Sequence, residues 1–67
     1  MTSMYIKRFK SGRISHYLKP IKIITGRYAV ATSNLHPDTF ICNINYPLFN
    51  SLDEAEAYLS ERFEKIN

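Results

Sequence analysis

At 67 residues, 45% of them hydrophobic, and with a net charge of +3, the chain has material for one compact domain spanning residues 1–67 and excludes a second core. A single cysteine, Cys42, excludes a disulfide within the chain, and the two histidines, His16 and His36, bring no paired cysteine spacing that would build a structural metal site. Lys7, Arg8, Lys10, Arg13, Lys19 and Lys22 interrupt the first 24 residues, so no signal peptide or membrane span is expected, and the cytoplasm is the expected compartment.

The N-terminal half alternates. From Met4 to Lys10, one side of an extended segment carries Tyr5, Lys7 and Phe9, and the other carries Met4, Ile6, Arg8 and Lys10. Ser11-Gly12-Arg13 supplies a turn, with Gly12 free to take positive φ. Ile14 to Leu18 is the return strand, placing Ile14, His16 and Leu18 on one side. Pro20 lacks a ladder donor, so the strand is expected to be interrupted at Lys19-Pro20 and to continue or restart over Ile21–Ile24. Thr25-Gly26 then turns the chain into a strand in which Tyr28, Val30 and Thr32 alternate with Ala29 and Ala31.

Ser33 to Asp38 collects turn formers and is expected to be a loop. Its tripeptide His36-Pro37-Asp38 is similar to the one that co-chaperone J-domains place between two antiparallel helices. The likeness covers three residues, and strand-like flanks replace the helices, so the tripeptide is read as a turn. Phe40, Cys42, Ile44 and Tyr46 then alternate with Ile41, Asn43 and Asn45, which predicts a strand over 39–46 with Cys42 on its apolar side.

The last element is a helix over 52–65. Apolar residues fall at Leu52, Ala55, Leu59, Phe63 and Ile66, the spacing of one helical face. Ser51 caps it with Glu54 three residues on, and Asp53 and Glu54 suit the positive end of the helix dipole. Together these elements predict a two-layer α+β fold: a three- to four-stranded antiparallel sheet with one C-terminal helix packed on one face.

Charge is divided along the chain. Residues 1–50 hold seven cations against Asp38, while residues 51–67 hold five carboxylates against Arg62 and Lys65. All but one of the acids therefore sit on the helix segment, and the two glycines form no phosphate-binding loop. No catalytic residue and no cofactor is assigned. A small domain without disulfide or metal gains stability from a partner chain, and Tyr5, Lys7, Phe9, Tyr17 and Tyr28 form the candidate interaction face for a protein partner or a second copy, in the simplest case a two-fold dimer. The alternative is binding of nucleic acid, with Arg8, Arg13, Lys19, Lys22 and Arg27 meeting phosphates while the aromatic residues stack on bases.

Overall fold

The computed structural model describes residues 3–34 and 39–67. The elements follow as β1 (Tyr5–Arg8), β2 (Ile14–Lys22), β3 (Tyr28–Ser33), β4 (Ile41–Cys42), α1 (Leu52–Arg62) and β5 (Glu64–Lys65). All strands are antiparallel, in the order β4-β3-β2-β1-β5. The chain walks from β1 across to β4 at one edge. It then returns over one face as α1 and adds β5 at the opposite edge.

Two turns of the same chemistry join the first three strands. In each, the first residue accepts at its carbonyl from the glycine three positions on: Gly12 N–H to Phe9 at 2.9 Å and Gly26 N–H to Ile23 at 2.9 Å. Gly12 has φ +95° and Gly26 φ +88°, the left-handed geometry that glycine adopts without strain. The preceding hydroxyls, Ser11 and Thr25, each accept from the backbone N–H of the following arginine, Arg13 and Arg27. Phe9 and Ile23 then pair back to those arginines, as in three-residue hairpins closed by a glycine bulge.

Pro20 does not interrupt β2, which runs unbroken for nine residues. On β3, Val30 and Tyr28 bond outward, to Asn43 and Phe49, so the bonds to β2 fall to Ala29, Ala31 and Ser33 and their partners Ile21, Lys19 and Tyr17. The nitrogen of Pro20 therefore faces the β1 side, where β1 reaches only to Tyr5, opposite Leu18. No ladder bond is lost there.

The core forms where α1 crosses the sheet. Tyr5, Leu18, Val30 and Leu59 are buried together, with Tyr46, Phe49, Tyr58 and Phe63 packed around them. Ala55 and Leu59 are the buried residues of the helix, one turn apart. Ser51 caps the helix as expected, its hydroxyl accepting from Glu54 N–H at 3.2 Å. The helix stops at Arg62 rather than 65, because Phe63 is extended (φ −133°) and Glu64 and Lys65 pair with Ile6 and Tyr5 instead.

The expected strand over 39–46 shrinks to the two residues of β4. Beyond Cys42 the chain turns: Asn43 accepts at its side-chain oxygen from Asn45 N–H at 2.9 Å and at its carbonyl from Tyr46 N–H at 3.3 Å. This turn swings Tyr46 over to Tyr58 and Phe63, with ring centroids 6.5 Å and 6.2 Å away. Side-chain amides competing for the backbone end the strand that alternation predicts. The His36-Pro37-Asp38 turn lies outside the described residues.

Candidate interaction surface

The five residues of the expected face do not share one. Cross-strand partners point to the same side of a sheet, and Tyr5 stands opposite Leu18. That puts Tyr5 on the helix side, where it is 1% exposed and cannot meet a partner directly. Its hydroxyl donates to the Glu56 carboxylate on α1. Burial first, then the Glu56 hydrogen bond and charge, push its pKa up to about 12, against a smaller opposite pull from Ser3. Lys7 follows Tyr5 onto the helix side and pairs with His16. Tyr28 is half-buried on that side too, held to Phe49 by two backbone hydrogen bonds of 2.8 Å. Tyr17, opposite Ile6 and Ser33, is half-buried on the far side. Phe9 sits in the first turn and is 57% exposed.

The cations are likewise dispersed. Arg13 lies at the first hairpin turn and Lys22 and Arg27 at the second, at opposite ends of β2, a strand about 30 Å long at ~3.3 Å per residue. That separation exceeds several screening lengths at physiological salt. Arg8 is engaged by Glu64 at 3.0 Å and by the Gly12 carbonyl at 2.8 Å. The Arg8 hydrogen bond and charge lower the Glu64 pKa. Lys19 reaches over the Phe40 ring, 4.4 Å from its centroid, on the face away from the helix. On that face Ile6, Ala29, Ala31 and Ser33 are buried, so it is no open platform of stacking rings.

His16 is half-buried, with its Nδ1 2.9 Å from the Ser15 hydroxyl. Its pKa is lowered by burial and then by the Lys7 charge, both of which favour the neutral ring. Comparison with family models, with curated proteins and with solved structures finds no match for this chain. The surface must therefore be judged on its own chemistry.

That chemistry points to the β4 edge. Cys42, expected on the apolar side of its strand in or near the core, is exposed. Ile41 is 71% exposed and Ile44 93%. They line a groove of about 500 Å³ together with Thr32, Ser33 and Asn43. Asn43 braces its wall by donating to the Thr32 hydroxyl at 3.3 Å. Among the described residues, no charged side chain lines the groove. A sequence signal for it was present: residues 39–52 contain no Lys, Arg, Asp or Glu. Alternation drew those apolar side chains inward, whereas the turn at Asn43 leaves Ile44 outside.

Among the described residues, no helix is long and apolar enough to cross a membrane.

Proposed function

We propose that this protein is a small non-catalytic interaction module that binds another protein chain, in the first instance its own copy. One observation carries the reading: a groove at the sheet edge whose lining, among the described residues, is uncharged, beside two isoleucines that are mostly in solvent. Exposed apolar side chains grouped around a concavity cost free energy in water, and a partner surface relieves that cost. Neutral walls suit a protein better than a polyanion.

Nucleic-acid binding is the weaker alternative. Arg13 stands at one end of β2 and Lys22 and Arg27 at the other, Lys19 lies over Phe40, Arg8 is neutralised by Glu64, and the aromatic residues do not form a common face. Sedimentation over a concentration series, with titrations of short DNA and RNA at two salt concentrations, separates the two. Concentration-dependent association without nucleic-acid binding is expected. Micromolar binding to DNA or RNA that weakens steeply with salt would reverse the order.

A further inference from the structure

We propose that the second copy docks edge to edge on β4, in an antiparallel two-fold pairing centred on Cys42 that carries one continuous sheet through the dimer. This rests on the self-association reading above and specifies its contact.

Three observations converge. The first is backbone direction. Asn43 N–H donates to the Val30 carbonyl at 2.9 Å, and Ala31 stands opposite Cys42. Hydrogen-bonded and non-bonded pairs alternate along an antiparallel ladder, so the N–H and C=O of Cys42 point away from β3. Among the described residues no strand lies beyond β4 on that side, which leaves a donor and an acceptor aimed outward, as a strand partner requires.

The second is charge. A two-fold pairing sets an edge against itself, so any charge near the axis meets its own like, which is destabilising. Residues 39–52 carry none. The opposite edge is built differently: β5 is Glu64–Lys65, and Glu64 is held by Arg8. Charged residues on a short strand guard an edge against pairing. Of the two edges, one is protected, and the other is bare and neutral among the described residues.

The third is side-chain fit. With Cys42 opposite Cys42 of the second copy, Ile41 of one chain faces Asn43 of the other, and Ile44, in the turn just past the ladder, comes beside Phe40 of the other chain. Ile44, 93% exposed in one chain alone, thereby gains an aromatic neighbour. A two-residue strand limits the contact, so a weak complex at the small end of specific interfaces follows.

The pairing gives Cys42 a readable role. In a hydrogen-bonded antiparallel pair the Cα atoms stand about 5.5 Å apart, within the span that a disulfide tolerates. Mild oxidation should link native chains through Cys42 about tenfold faster or more than it links a Cys42→Ser/Ile24→Cys variant, whose thiol sits on the fully exposed residue of the second hairpin turn. In sedimentation, Ile44→Lys should weaken association about tenfold or more with an unchanged melting temperature, because Ile44 contributes nothing to the core. Equal linking rates, or an Ile44→Lys variant that associates like the native chain, overturn edge pairing. If the native chain still self-associates in that case, the interaction reading survives and only its contact is wrong. A native chain that stays monomeric at several hundred micromolar overturns self-association and edge pairing together.

Discussion

Replacing Leu59 with alanine tests the packing on which the whole arrangement depends. Leu59 has no exposed surface and lies in a cluster with Tyr5, Leu18 and Val30, the other members fully enclosed there among the described residues. Three carbons leave the core, a loss of about 2.4 kcal/mol at ~0.8 per methylene. A residual void of about 50 Å³ adds about 1.2 kcal/mol at ~24 cal/mol per Å³. The expected cost is therefore about 3.5 kcal/mol, against a total of about 3–10 kcal/mol for a domain of this length. Urea denaturation followed by circular dichroism reads it directly. With a slope near ~1 kcal/mol per molar, as for small domains, the midpoint falls by about 3 M or the folded baseline disappears. Ile24→Ala, on a fully exposed residue, should leave the midpoint in place. A Leu59→Ala shift below about 1 M would refute the claim that α1 seals the sheet through this side chain.

Three more outcomes follow from the same structure. An added Cβ at Gly12 or Gly26 meets nothing within 4 Å, so Gly12→Ala and Gly26→Ala should each cost about 1–2 kcal/mol from backbone strain alone; Asn at either position should cost less in the same denaturation assay. Tyr5→Phe removes the hydroxyl that donates to Glu56 and should cost about 1–2 kcal/mol. Because the folded Tyr5 pKa is raised from 10.0 to about 12, the associated stability is complete below pH 10 and lost as pH climbs toward 12. The variant should lack that alkaline decline in melting temperature. His16 behaves oppositely. Its folded pKa lies below the ordinary 6.5, so its contribution is complete above pH 6.5 and lost as pH falls through the folded value. Melting temperatures across mildly acidic pH should drop in the native chain and flatten in His16→Gln; parallel curves would sink the assignment.

The helix and its cap were legible because each local signal agrees: Ser51, Glu54 and the spacing of Ala55 and Leu59 all serve the same element. Both hairpin turns were also visible as glycines after a hydroxyl residue. Failures came where two patterns fit one stretch. Alternation over Tyr5, Lys7 and Phe9 gives a strand but does not say which side meets the helix; the pairing of Tyr5 with Leu18 decides it. Around Asn43 the same alternation overstated a strand, since side-chain bonding and Pro47 favour a turn. Phe63 and Ile66 continue the helical stripe, yet pairing with β1 wins over propensity there. The β4 groove was missed because it is marked by missing charge rather than by any motif.

The antiparallel pairing of β5 with β1 has a consequence for how the chain assembles. Arg8 finds Glu64 56 positions later, and Ile66 N–H and the Met4 carbonyl close the same seam at 2.9 Å. During synthesis the first hairpin emerges early, but its outer rail stays bare until residues 64–67 have left the ribosome. Such distant closure slows folding relative to local contacts, and it makes the final arrival of that short segment the step that completes the sheet.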